Sequence, residues 1–345
     1  MMPARGKAAA VQAGAGQSGA ALIYVLILTG LLASLTVRII SSAEAEVFGA
    51  QAALSRVQAR LMVESAVLSA GKVLMRDASL TGSDYLGESW DVFPAGDNVP
   101  GAWFFGDKLK GRIVDETGKL PINSIHPDMK GHQVYREAFL RLLRGRPFLL
   151  DSARAEAITS ALESWMTSPA KTADLVQADE PYLNAGLPYR VKGGALDTVA
   201  ELRLVKGVSD ELYYGRPGEV GLKDLVTIWS SGLVNVNTAP LPVLAALAVG
   251  LDQDKAEDFA RTVDTFRRTP SNRPRLEGTD WLGPIVQGLG KEEVQLGMFT
   301  TRSLYFSADL ECSSGSVTSR AHAVFKRQLN SNRPQPIALL YLQVQ

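Results

Sequence analysis

Few side chains in this 345-residue chain are spaced for chemistry. The three histidines, His126, His132 and His322, are scattered, and Pro127 lies between the first two. That spacing suits a loop better than a metal-binding helix face, where ligands recur every three or four residues. Asp115 and Glu116 are adjacent rather than an evident acid/base pair, and Cys312 is the only cysteine, so no internal disulfide can form. No P-loop, His-Glu-x-x-His run or nucleophile elbow occurs, and no enzymatic activity is expected. Gly14-Ala15-Gly16-Gln17-Ser18-Gly19 fits the GxGxxG pattern. A dinucleotide site, however, needs a strand before that loop and an acidic residue about 20 positions on, within a βαβ unit. Here a Gly/Ala-rich leader precedes it and an apolar run follows.

The stretch that stands out begins at the Gly19–Ala20 bond. Ala20 to Val37 contains no charge, and its eighteen residues are about enough to cross a hydrocarbon core at roughly 1.5 Å per residue. Arg5 and Lys7 ahead of it hold the N-terminus in the cytoplasm and the bulk outside. A secretory signal peptide cleaved near Ala43-Glu44-Ala45 is one reading, but its apolar core would exceed the usual span of about 7 to 15 residues. A plain signal anchor is the second. The third is a type IV prepilin-like signal, cut after Gly19 on the cytoplasmic side so that the whole apolar helix stays and Ala20 becomes the N-methylated first residue. The fifth residue of such a mature chain is usually glutamate; here it is Tyr24.

The elements that carry these residues follow from pattern. Ser41 to Asp77 is Ala-rich and free of proline, so one helix can continue out of the membrane. Val47, Leu54, Val57, Leu61 and Leu68 mark an apolar face that packs on the chain's own sheet and, on a sharper reading compatible with the first, also on neighbouring subunits, with Arg56, Arg60, Glu64 and Lys72 toward solvent. Ala102–Phe105 and Gly111–Asp115 read as short strands. Residues 129–295 read as mainly helical, with a helix over Ser152–Met166 capped by Asp151 or Ser152. Within them Thr167–Gly194 is a polar loop carrying Asp174, Asp179 and Glu180. Two helix-turn-helix-like units follow, Thr198–Leu212 around Gly207 and Thr238–Arg268 around Gly250. Ser303–Leu310, Val317–Arg327 and Ile337–Val344 return to strand patterning. In Asn235-Val236-Asn237-Thr238-Ala239-Pro240, Thr238 can cap the next helix, Pro240 suits its first turn, and the two asparagines tie down loop backbone.

Together these features resemble the K-type minor pseudopilins of type II secretion systems, the GspK family. The likeness covers nearly the whole chain: the glycine-terminated leader, the helix without a fifth-position glutamate, Gly118-Lys119-Leu120-Pro121-Ile122-Asn123, Leu187-Pro188-Tyr189-Arg190, and Glu201-Leu202 through Lys206-Gly207-Val208. It continues in Asn235–Pro240 and Ser303-Leu304-Tyr305-Phe306. The resemblance implies an α+β, type IV pilin-like fold: a long N-terminal helix packed on an antiparallel β-sheet, with a large inserted α-helical domain of helix-hairpin-helix or SAM-like units. Its divisions would be a leader (1–19), a transmembrane and pilin helix (20–78), a first β region (79–128), the insertion (129–295) and a second β region (296–345). The implied role is to cap the pseudopilus with the I- and J-type minor pseudopilins, working with the prepilin peptidase and the inner-membrane platform. The chain would be single-pass in the inner membrane, with its bulk in the periplasm. Tyr24 then becomes an assembly feature, since a subunit at the tip has none ahead to pair with. Some members bind calcium, and Asp179 and Glu180 match a family acidic pair. Two carboxylates fall well short of the roughly six to eight oxygens calcium prefers, so a solvated acidic loop is the preferred reading.

The alternative is a membrane-anchored DNA-binding protein of the competence-receptor type, because the helix-turn-helix units also resemble helix-hairpin-helix modules. Those present hairpin backbone to phosphates, usually with basic support. The candidate tip, Val249 to Lys255, instead carries Asp252 and Asp254, and the whole chain balances 36 basic against 36 acidic residues. No nucleic-acid partner is therefore expected.

Overall fold

A computed structural model describes residues 15–95, 108–167, 182, 189–289, 294–328 and 337–345, with side chains of the first helix from Gly19 onward. The leader before Ala15 and the strand expected at Ala102–Phe105 lie outside the described residues. Helix α1 spans Ala15–Leu80. Its apolar portion accommodates hydroxyls by bonding them to the preceding turn: Thr29 Oγ1 donates to Leu26 O (3.0 Å), Ser34 Oγ to Leu31 O (2.8 Å) and Thr36 Oγ1 to Leu32 O (2.8 Å). Such back-bonding pairs these three hydroxyl hydrogens within the helix, as an apolar medium requires.

The chain divides into two units, Met1–Gln58 with Ser314–Val317, and Ala59–Ser313 with Thr318–Gln345. In the first, every large apolar side chain from Leu22 to Ile40 is exposed, and Ser314 Oγ donates to Gln58 Oε1 at 2.8 Å.

The second unit holds two apolar cores. The smaller packs the C-terminal part of α1 on a four-stranded sheet ordered β1-β6-β7-β8 (Leu109–Asp115, Tyr305–Ser314, Val317–Arg327, Ile337–Val344). β1 and β6 run antiparallel in register from Leu109↔Cys312 to Asp115↔Phe306, and β7 and β8 are antiparallel too. Two-residue alternation puts Phe306, Ala308, Leu310 and Cys312 on the inner face of β6. Against them lie Met62, Val63, Ala66, Val67, Ala70, Val73 and Leu74 of α1, with Trp90 and Phe93 from the segment after it. The small residues set the approach: a Cβ on Gly71 would sit 3.3 Å from the Phe325 ring.

The apolar row expected to face the sheet is therefore on another face of α1. Val47, Leu54, Val57, Leu61 and Leu68 are each more than half exposed. The helix carries two apolar stripes, and the one rich in alanine comes closest to the strands.

The larger core gathers residues from Leu120 to Phe299. It is built from α2 (His132–Arg144), α3 (Ser152–Met166), α4 (Asp210–Tyr214), α5 (Leu222–Leu225), α6 (Leu241–Leu247), α7 (Gln253–Arg268) and α8 (Leu282–Gly288). Two parallel pairs of two-residue strands stitch it: β2 (Leu120–Pro121) with β3 (Val226–Thr227), and β4 (Val234–Asn235) with β5 (Phe299–Thr300). Asp151 caps α3 by accepting from Arg154 N at 2.8 Å, as expected. The first helix-turn-helix unit departs from expectation: its first arm, Val199–Leu204, is a 3₁₀ helix and its second is only α4.

Candidate functional site

The processing residues expected from sequence, Gly19 and Ala20, lie exposed within α1, and Tyr24 is 72 % exposed. Nothing lies within 4 Å of where a Cβ on Gly19 would be, so packing does not demand glycine there. A glycine inside a helix weakens it by about 0.5–1 kcal/mol relative to alanine, which eases local opening at this bond. Asp179 and Glu180 lie outside the described residues.

The most elaborate constellation is a buried polar junction where the two cores meet. It is built around Asp115, the last residue of β1. Asp115 Oδ1 accepts from Thr117 N (2.8 Å), and Oδ2 accepts from Thr238 Oγ1 (2.6 Å), Ser303 Oγ (2.5 Å) and Asn235 Nδ2 (3.2 Å). Asn235 Nδ2 also donates to Asp84 O and Ser303 Oγ, while its Oδ1 accepts from Asn237 N at 2.9 Å. Asn237 Nδ2 donates to Leu276 O at 2.9 Å. The asparagines thus tie down loop backbone as expected, and Asn235 links three distant segments as well.

Thr238 is not the helix cap. The N-cap of α6 is Pro240, with no side-chain bond, and the Thr238 hydroxyl turns to Asp115 instead. A buried carboxylate is the stronger acceptor, and charge-assisted bonds outweigh a local cap. Gly118 makes this approach possible, because a Cβ there would lie 2.7 Å from Thr238 Oγ1. From α7, Arg267 donates to the loop carbonyls of Val236 (2.9 Å) and Ala239 (2.8 Å) while Asp264 pairs with its other nitrogens.

Glu116 forms the junction's second centre, accepting from Thr227 Oγ1, Ser307 Oγ and Lys119 Nζ, each at 2.6 Å. A third lies at the end of α1, where Arg327 of β7 bonds Asp84 and reaches Leu74 O (2.9 Å) and Asp77 (3.1 Å). Burial pushes Asp115 up to about 6 despite its donors, Asp77 to about 6 and Glu88 to about 7. For Glu116 burial acts the same way, but Lys119 and the two hydroxyls prevail and hold it below the usual carboxylate range.

What this arrangement does chemically is fasten. Ser303 is buried and gives its hydroxyl to Asp115, with no imidazole in the network. His322 pairs with Asp309 on the sheet at 2.6 Å, which raises the imidazole, and His126 accepts from Asp128 N. Burial pushes the Cys312 thiol up to about 11, so it stays protonated. At the hairpin tip, Asp252 accepts from Lys255 N at 2.9 Å and so takes the helix N-terminus a phosphate would need. Asp84, Arg267 and Arg327 carry much of the junction and were not singled out from sequence, and Ser303 stood there only as part of the Ser303–Phe306 motif; the partners that tie them into the junction lie far along the chain.

Residues 118–215 match the family model for the first domain of type II secretion system (T2SS) protein K. The chain is 27 % identical over 205 residues to type II secretion system protein K of Pectobacterium carotovorum subsp. carotovorum, covering 57 % of this chain and 60 % of that one. It is also 27 % identical over 251 residues to the protein of that name from Pseudomonas aeruginosa PAO1, covering 71 % and 72 %. Its fold is that of a chain in the crystal structure of the GspK-GspI-GspJ complex from the enterotoxigenic Escherichia coli type 2 secretion system. That match has a TM-score of 0.60 at 18 % identity and covers 86 % of this chain and 99 % of the other.

Proposed function

We propose that this chain, a relative of type II secretion system protein K, is a minor pseudopilin at the tip of a type II secretion pseudopilus. In this role it assembles with I- and J-type minor pseudopilins to start the pseudopilus and support protein export across the outer membrane. The observation that carries the reading is the joining, in one chain, of a protein K domain at residues 118–215 to a helix long and apolar enough to cross a membrane, exposed along that run.

On this reading residues 1–19 are a leader, and the prepilin peptidase cuts between Gly19 and Ala20. Residues 20 to about 40 sit in the inner membrane before assembly, and the remainder is periplasmic. Tyr24 leaves the new Ala20 ammonium without the usual carboxylate, a loss harmless in a subunit with none above it. Residues 129–295 form the insertion between the two pilin β regions (79–128 and 296–345), tolerated where nothing stacks on top. The inner-membrane platform is the assembly partner below. Calcium at Asp179 and Glu180 is the secondary part of this proposal, and its test is a calcium-binding measurement on Asp179→Asn/Glu180→Gln.

The deciding experiment is mass spectrometry of the mature N-terminus from cells with and without the prepilin peptidase. A methylated start at Ala20 that disappears without the peptidase is expected. A start at Glu44 or Glu46 means an ordinary signal peptide and sinks the proposal.

A further inference from the structure

Three carboxylates converge just where α1 ends. Asp77, in its last turn, and Asp84 and Glu88, in the segment after it, are all buried, and each places one oxygen within 4.8 Å of the others. Arg327 bonds two of them, Asp77 and Asp84. Glu88 is different. Its Oε2 accepts from Tyr85 N and Trp90 Nε1, both at 2.9 Å, while its Oε1 is buried with no hydrogen-bond partner in a side chain only 7 % exposed. In the same stretch, Thr81 Oγ1 is also buried without a partner.

Three carboxylates share one bonded guanidinium, so the acidic groups outnumber the cation bonded to them. Buried charge on that scale is unfavourable unless a counter-charge meets it. The helix end sharpens the demand, since the last turn of α1 carries a partial negative charge and no basic side chain. Of the other cations beside this segment, Arg302 spends its Nε on Gly82 O, and the Arg273 guanidinium lies against Gly87 rather than bonding the carboxylates. Hard oxygens are what a hard divalent ion selects. Ligands bound at about 2.3–2.6 Å to one such ion lie no more than roughly 5 Å apart, as these three do.

We propose that Asp77, Asp84 and Glu88 bind a divalent cation of the calcium class, with Glu88 Oε1 as its unshared ligand. The ion pins the C-terminal end of α1 to the segment carrying Trp90 and Phe93, and so to the sheet core. It is separate from the acidic pair Asp179 and Glu180.

The test uses the full-length chain in detergent, stripped with chelator. Terbium is titrated at neutral pH with excitation through indole, and bound calcium is counted by equilibrium dialysis. Because Trp90 bonds a ligand, terbium emission is expected, competed by calcium and markedly lower in Trp90→Phe at unchanged stoichiometry. Glu88→Gln keeps an acceptor for Tyr85 N and Trp90 Nε1 but is expected to lose one calcium equivalent or bind it at least about tenfold more weakly. Asp179→Asn/Glu180→Gln retains that equivalent. A folded Glu88→Gln chain with the wild-type calcium count overturns the proposal. So does terbium emission indifferent to Trp90→Phe, which decides the matter even if Glu88→Gln fails to fold. A wild-type chain binding no calcium at about 1 mM, its excess charge met by protons instead, overturns it too.

Discussion

At the scale of single residues the molecule turns on Asp115. Its carboxylate is buried, yet four donors from three places in the chain converge on it. Burial raises it from 3.8 to about 6, so the folded state holds the proton more tightly than the unfolded chain does. The resulting stabilisation is fully present below the unfolded value and is lost as pH climbs through about 6, amounting to on the order of 2–3 kcal/mol. His322, raised by Asp309, acts in the same direction. The wild-type melting temperature is therefore expected to fall between about pH 4.5 and pH 7, and Asp115→Asn, a mimic of the neutral acid, to fall less. A mutant slope equal to the wild type's would refute this account. Sequence pattern exposed Asn235 as a loop anchor because its bond to Asn237 N is local to the turn, whereas the Asn237 amide reaches Leu276 O, far along the chain. It misassigned Thr238 because capping is a rule about neighbours, whereas its acceptor lies at Asp115, across the insertion.

At the scale of elements the instructive case is α1. The heptad-like row of Val47, Leu54, Val57, Leu61 and Leu68 is plain in the sequence, but its surroundings are not, because periodicity says that a face is apolar and not what covers it. The face that meets the sheet was obscured by its alanines and by Gly71, whose small size permits contact while adding little to an apolar pattern. The two faces should answer differently to charge. Leu61→Glu or Leu68→Glu should change the stability of the purified chain by less than about 0.5 kcal/mol, as exposed substitutions do. Val63→Asp, at a fully buried position, should cost about 3 kcal/mol or more by burying an unpaired charge. On the proposed role, and if the row is where subunit helices meet, the two leucine variants should lose co-purification with I- and J-type pseudopilins while melting like wild type. Retained co-purification would remove the row from the interface. More easily read were β6, marked by alternation, and the start of α3, where Asp151 stands one residue before a helical run.

At the scale of the whole molecule, two apolar cores share one polar junction. Asn235 bridges them, bonding Asp84 O beside the smaller core from within β4 of the larger. Asn235→Ala leaves Asp115 short of a donor and Asp84 O without this bond, a loss of about 1–3 kcal/mol. Calorimetry of this variant should show a transition that broadens or splits in two where the wild type gives one; a single shifted transition would mean the cores couple by other contacts. The pairing of β1 with β6 also has a consequence in time. Among the described residues every strand partner of β1, from Cys312 back to Phe306, is made only after the larger core's own residues, Leu120 to Phe299, have been synthesised. As the chain emerges, the insertion holds all it needs to condense, while β1 waits beside it with an unpaired edge. The sheet closes last, so the order of translation itself requires a long contact to form after a local one, and leaves an interval in which β1 is open to other strands.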